Sequence, residues 1–181
     1  LGDVYKRQIS NRLSISSQSF FKRWNRQSIR YRKTYLMIQN LAIASDHAGY
    51  NLKTFLINQL DSDINIKDFG TNNENSCDFP DFAQELCNFI NENNSSYRGL
   101  LICGSGVGMS IAANKIKGIR AANVVDELTA IQSVEHNNVN VLCLGSNNVS
   151  NENALSIVLK FLNTYMLEEE RYIRRVGKIE N

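Results

Sequence analysis

Gly99-Leu-Leu-Ile-Cys-Gly-Ser-Gly-Val-Gly-Met-Ser-Ile-Ala-Ala-Asn-Lys115 is the stretch that decides the fold. Gly99–Cys103 is an apolar run of strand length, Gly104-Ser-Gly-Val-Gly108 interrupts it, and small residues then carry a helix to about Lys115. A strand that passes through a glycine loop straight into a helix opens a strand–helix–strand crossover, and such crossovers build parallel sheets. Glycines at that junction let backbone N–H groups approach a ligand, and a helix start favours negative charge. The loop is not a P-loop, because no Gly-Lys-Ser/Thr follows, and Met109 stands where the dinucleotide fingerprint needs its third glycine. A tight turn without a ligand is the other reading of this spacing.

The same alternation runs outward in both directions. Upstream, Leu41–Ser45 is an apolar run ending at Asp46-His47-Ala48-Gly49, and Leu52, Phe55, Leu56 and Leu60 follow at helical spacing. Ile64–Phe69 alternates and stops at Gly70; Thr71–Ser76 is a polar loop. Asp78 stands where it can cap a helix ahead of Pro80, with Phe82, Leu86, Phe89 and Ile90 on one face. Downstream, Ile119–Val125 reads as a strand, Asp126–Glu135 as a helix and Asn140–Gly145 as a fifth strand. Glu152–Met166 then reads as a helix and Glu168–Arg175 as a last, basic one. The expected fold class is α/β, a Rossmann-like three-layer α/β/α sandwich around a five-stranded parallel sheet.

Ligands of such sheets bind at the carboxyl ends of the strands. Asp46-His47, Cys103–Gly108 and the junction after the fifth strand fall there, whereas His136-Asn137 lies just before the fifth strand, at the opposite edge. A residue at that edge serves a neighbouring subunit's site more easily than its own, which suggests an active site built across a dimer.

Composition narrows the class. The chain has 181 residues, of which 43% are hydrophobic, so it is globular. No apolar run approaches the roughly 18 residues a membrane span needs. The net charge of +2 hides a split: residues 1–36 hold nine basic side chains against Asp3, while 37–181 carry 11 basic and 17 acidic residues, a net −6. Three readings of 1–36 compete. It is Arg- and Ser-rich and poor in acids like an organellar targeting segment. It interleaves Phe20, Phe21, Trp24, Tyr31 and Tyr35 with basic residues like a nucleic-acid arm. The favoured reading is that it is an artefactual or disordered extension. The chain begins with Leu1, and Asp3-Val-Tyr-Lys-Arg-Gln8 resembles the translation of GAT-GTG-TAT-AAG-AGA-CAG, a transposase mosaic end. Residues 37–181 are then the working domain, starting at Met37, and its acidic charge argues against a nucleic-acid partner.

Cys77, Cys87, Cys103 and Cys143 form no C-x-x-C pair and lack zinc-ligand spacing, so they read as free thiols in a reducing compartment. Cys87 and Cys143 read as small core residues. Cys103 directly precedes the glycine loop, whose donors would stabilise a thiolate, and is a candidate base or nucleophile. His47 and His136, the chain's two histidines, sit at element junctions beside Asp46 and Asn137, where imidazole suits proton transfer or anion binding. Arg171 and Arg175 share a helical face and could grip a phosphate, or pair with Glu168–Glu170. Asp78 and Asp81 read as capping residues.

Together, Ser45-Asp-His-Ala-Gly-Tyr-Asn-Leu-Lys53, Asp78-Phe-Pro-Asp-Phe-Ala83, the Gly99–Lys115 stretch, Gly118-Ile-Arg-Ala121 and Glu135-His-Asn-Asn-Val-Asn-Val-Leu142 resemble type B ribose-5-phosphate isomerase, in a wider family that includes the galactose-6-phosphate isomerase subunits. The resemblance covers roughly 41–176. It implies a cytoplasmic aldose–ketose isomerase of the pentose phosphate pathway that interconverts ribose 5-phosphate and ribulose 5-phosphate without metal or organic cofactor. It further implies a homodimer with shared active sites, or a tetramer of such dimers, and no membrane partner. By resemblance Cys103 moves the proton between C2 and C1. Gly104, Ser105, Gly106, Val107 and Gly108 stabilise the enediolate, and His136 assists ring opening. Asn137 and Asp46 bind or orient the sugar, while His47, Arg171 and Arg175 hold the phosphate. The chain departs from the pattern at Phe79, where a tyrosine is usual, at Asn147, where an arginine is common, and at Glu169-Glu170, where glycines stand. These departures bear on substrate identity, with a galactose- or allose-type hexose 6-phosphate as the alternative. A non-catalytic sugar-phosphate-binding domain, needing neither Cys103 nor His136, is the reading from another class.

Overall fold

The computed structural model describes residues 39–60, 64–93 and 96–180. The readings placed on 1–36, targeting segment and artefact alike, lie outside the described residues. Five strands form one all-parallel sheet: β1 (Asn40–Ser45), β2 (Asn65–Asp68), β3 (Arg98–Cys103), β4 (Ala121–Asn123) and β5 (Val141–Gly145), in the order β2-β1-β3-β5-β4. The helices between and after them are α1 (Tyr50–Gln59), α2 (Phe79–Glu92), α3 (Val107–Ala113), α4 (Glu127–Asn137), α5 (Asn151–Leu162) and α6 (Glu170–Ile179). The expected α/β fold class holds.

Alternation along the central strands divides the core in two. Ala42 and Ala44, Leu101 and Cys103, and Val141 and Cys143 face the layer that holds Leu86, Cys87 and Ile90 of α2 and Met109 and Ala113 of α3. The intervening Ile43, Leu100, Ile102, Leu142 and Leu144, also fully buried, point to the opposite side, as do the buried faces of α1 and α5. The chain moves from β1 outward to β2 and then to β3 on β1's other flank, so the strand order reverses between β1 and β3. That reversal opens a crevice at their carboxyl ends.

Element boundaries differ from the sequence expectation where tertiary contacts decide them. The edge strands β2 and β4 are shorter than Ile64–Phe69 and Ile119–Val125, because each has one neighbouring strand and pairs over four and three residues. Asp78 occupies the N-cap position of α2, but its carboxylate makes no capping hydrogen bond; Pro80 in the first turn starts the helix. Asp126 does cap α4, accepting from the Thr129 N–H at 2.7 Å, and these hydrogen bonds hold its carboxyl below the usual range. That helix runs on to Asn137 and ends at Asn138 in the left-handed region (φ 50°), so His136 and Asn137 belong to its last turn rather than to a connecting loop. The helix expected over Glu152–Met166 stops at Leu162, where the Asn163 side chain donates to the Leu159 carbonyl at 2.9 Å; residues 164–169 continue without helix.

Lys53, 2% exposed on α1, places its ammonium 2.6 Å from both carboxylate oxygens of Asp68 at the end of β2. Asp68 also accepts the Gly70 N–H at 2.9 Å, which ties the segment after β2 to the carboxyl end of β1 through the Gly70 carbonyl and the Ser45 N–H. No helix among the described residues is long and apolar enough to cross a membrane.

Candidate active site

Cys103 is the last residue of β3 and 5% exposed. The chain turns sharply after it: Gly106 takes φ +78°, and an added Cβ there would lie 2.3 Å from the Asn123 side-chain oxygen. A side chain is excluded on both counts. The turn brings the Gly106 N–H to 3.1 Å from the Cys103 sulfur. The donor comes from the turn's own backbone, three residues along the chain from the sulfur. Burial pushes the Cys87 thiol up to about 12 and also raises that of Cys143. All four cysteines are free.

The rest of the loop is held from β5. The Ser146 N–H donates to the Cys103 carbonyl at 2.8 Å and the Asn147 N–H to the Gly104 carbonyl at 3.0 Å. Ser105 is exposed, and its hydroxyl oxygen accepts from the Val107 N–H at 3.3 Å. Val107 and Gly108 open α3, with the Phe79 ring packed on Gly108. Phe79 thus lies in contact with the loop and brings no hydroxyl to it.

Asp46 follows β1 directly and caps the 3-10 turn His47–Gly49, its Oδ1 accepting from the Gly49 N–H at 3.0 Å. Its backbone N–H donates to the Ile102 carbonyl at 3.1 Å, so the β1 and β3 junctions share one crevice. His47 is half-buried there, and its Nδ1 accepts from the Cys77 N–H at 3.3 Å. With Nδ1 accepting, Nε2 carries the hydrogen and is the ring's remaining donor. The Cys77 contact was not evident from sequence spacing, because it joins residues 30 positions apart.

The remaining candidates lie at the other edge of the sheet. His136, in the last turn of α4, stacks on Tyr172 of α6 with ring centroids 4.6 Å apart and planes 9° from parallel. The Arg171 guanidinium lies 4.6 Å from the centroid of the same Tyr172 ring, and its Nε pairs with Glu169 at 2.8 Å. Arg175 is exposed one turn further along, and Asn137 is exposed beside His136. Glu169 therefore does engage a candidate phosphate-gripping arginine, while Glu170 pairs with Arg174 at 4.0 Å. Cys103 pairs in register with Gly145 at the carboxyl end of β5, and His136 precedes the amino end of that strand. The five residues of β5, roughly 13 Å from first to last, run between the level of Cys103 and the end that His136 precedes. The structure brings together Asp46, His47 and Cys103–Gly108, and separately His136, Asn137, Arg171 and Arg175. Among the described residues no group of three or more His, Cys, Asp or Glu side chains is placed to hold a metal ion.

Sequence reading also missed Asn123 and Asn148. Both side-chain amides donate to the Ser105 carbonyl, each at 3.2 Å, from β4 and from the connection after β5. The asparagine-rich composition carried no signal that singled them out.

The family model described as Ribose/Galactose Isomerase matches residues 41–179. Over 139 residues the chain is 45% identical to the "Probable ribose-5-phosphate isomerase B" of Mycoplasma pneumoniae, covering 76% of this chain and 90% of that protein. The crystal structure of ribose-5-phosphate isomerase B from Mycoplasma genitalium with bound ribulose-5-phosphate is 42% identical with a TM-score of 0.74, covering 78% of this chain and 93% of that one. Ribose 5-phosphate isomerase from Thermotoga maritima is 41% identical with a TM-score of 0.74, covering 78% and 97%.

Proposed function

We propose, for a chain that belongs to the ribose/galactose isomerase family, that it interconverts ribose 5-phosphate and ribulose 5-phosphate by proton transfer at Cys103. The observation that carries the mechanism is the Gly106 N–H aimed at the Cys103 sulfur at 3.1 Å, on the floor of the crevice between β1 and β3. The thiolate removes the proton from C2 of the open-chain aldose, the C2–H electrons form the C1=C2 bond, and the C1=O π pair moves onto O1 to give an enediolate. The C1=C2 pair then takes the proton back from Cys103 at C1, the O2–H electrons form the C2=O bond of the ketose, and the O2 hydrogen passes to O1. Charge that develops on the enediolate oxygen meets donors of the Gly104–Gly108 loop, the Ser105 hydroxyl among them, preorganised by the fold. Asp46 orients the sugar and His47 meets the phosphate.

His136 would open the sugar ring, Asn137 would bind the substrate, and Arg171 and Arg175 would hold the phosphate, all from a second copy of the chain. Two features support this homodimer. Those four residues sit at the edge of the sheet away from Cys103. Val107 and Ile111 on α3, Val125 just ahead of α4 and Leu128 in its first turn are large apolar side chains about half exposed or more, an arrangement suited to burial against a partner.

Complementation tests the shared site. Cys103→Ala and His136→Ala homodimers should each be nearly inactive. Subunit exchange between equal amounts should restore about a quarter of wild-type activity, since half the dimers then carry one competent site of two. Activity that stays at the single-variant level after proven exchange would place both residues in one chain's site.

A coupled assay offering ribose 5-phosphate, allose 6-phosphate and galactose 6-phosphate addresses specificity. Ribose 5-phosphate should have the highest kcat/KM, by about tenfold or more. A hexose phosphate turning over faster would assign the Phe79 and Asn147 departures to substrate choice.

A further inference from the structure

We infer that Asn123 and Asn148 are positioning residues: their two amides, both donating to the Ser105 carbonyl, aim the next N–H, that of Gly106, at the Cys103 sulfur. The inference rests on the reading of Cys103 as the proton-transferring base.

The Ser105 carbonyl and the Gly106 N–H belong to one planar peptide unit, which is trans, so they point in opposite directions. Holding the carbonyl on one side fixes the N–H on the other. Asn123 Nδ2 and Asn148 Nδ2 each lie 3.2 Å from the Ser105 oxygen, and the Gly106 nitrogen lies 3.1 Å from the Cys103 sulfur. Gly145 makes room for this approach, since a Cβ there would come within 2.6 Å of the Ser105 oxygen.

The clamp matters because Gly106 is free to choose. Glycine populates positive and negative φ about equally, so the peptide before it can rotate at little backbone cost. Rotated, it would turn the Ser105 carbonyl toward the sulfur and the enediolate, placing a negative dipole end where the chemistry needs a donor. The Val107 N–H does not oppose that rotation, because it is engaged by the Ser105 hydroxyl within the same turn. The two amides, arriving from separate connections of the sheet, decide between donor and acceptor.

The test uses the full chain with Asn123→Ala, Asn148→Ala, the double variant and Asn123→Asp. Aspartate keeps the size of asparagine and removes the donor. Steady-state kinetics with ribose 5-phosphate should show kcat about fivefold lower in each alanine single variant, the effect of one neutral hydrogen bond. In the double variant kcat should fall about 100-fold, more than additive, because either amide alone can hold the carbonyl. KM should stay within about twofold, since the two amides hold the Ser105 peptide and not the substrate. Amide hydrogen exchange at Gly106, followed by NMR, should accelerate about tenfold in the double variant while core amides keep their protection. Asn123→Asp should match or exceed the loss of Asn123→Ala.

Wild-type kcat in the double variant, unchanged Gly106 exchange alongside a loss of activity, or rescue by Asn123→Asp would each overturn the clamp. A wild-type chain that isomerised none of the sugar phosphates would defeat the reading of Cys103 by itself. The Gly106 exchange rates would still decide whether the amides hold the peptide.

Discussion

Cys103→Ala should lower kcat for ribose 5-phosphate isomerisation by about 1000-fold, within the range a positioned acid–base group contributes. The substitution removes one sulfur from a site 5% exposed and leaves β3 intact. It should therefore cost on the order of 1 kcal/mol of stability, and thermal unfolding should remain cooperative. Binding of the product ketose phosphate, measured by calorimetry, should stay within about threefold of wild type, because the base acts on a developing carbanion rather than on ground-state contacts. Cys143→Ala is the matched control. Cys143 lies on the neighbouring strand, fully buried, with its thiol raised by burial, and its loss should touch stability and leave kcat alone. A Cys103→Ala enzyme turning over within tenfold of wild type would remove the thiol from the mechanism.

Gly106→Ala should be nearly as damaging by another route. Alanine at φ +78° is strained by about 1–2 kcal/mol. Its methyl would also lie 2.3 Å from the Asn123 side-chain oxygen and 2.9 Å from the Leu144 carbonyl carbon. The turn must move, and with it the N–H donated to Cys103. Displacing the loop's other donors from the developing oxyanion along with it costs about 100- to 1000-fold in kcat, and the overpacking should lower stability by about 2 kcal/mol in denaturant unfolding. Gly104→Ala is a graded comparison: its added Cβ would meet Asn147 at 3.3 Å and Ala48 at 3.6 Å, contacts that small shifts relieve. It should lose less on both measures. Gly106→Ala with wild-type kcat would mean that the loop does not act through its backbone donors.

Both predictions concern a stretch whose role is legible in the chain because it is local. An apolar run, a glycine interruption and a small-residue helix make one strand–turn–helix unit, and the positions of Cys103 and the loop follow from covalent succession. The parallel sheet was legible for the same reason, each crossover being written as a strand followed by a helix. Edge strands were overestimated because their length depends on a neighbour's register, which hydrophobicity does not encode. The end of α5 at Leu162 was likewise set by a side chain reaching back to a carbonyl.

By itself, the sequence determined the α/β class, the order of elements, the candidate residues and the expectation that they occupy opposite edges of the sheet. Tertiary structure alone decided which groups touch. It placed Cys77 against His47, stacked His136 on Tyr172 under Arg171, and brought two asparagines 18 and 43 residues from Ser105 onto one carbonyl. Periodicity reports which face of an element is buried, a property of nearest neighbours along the chain. A hydrogen bond between distant residues depends on how whole elements are packed, and only the folded sheet supplies that geometry.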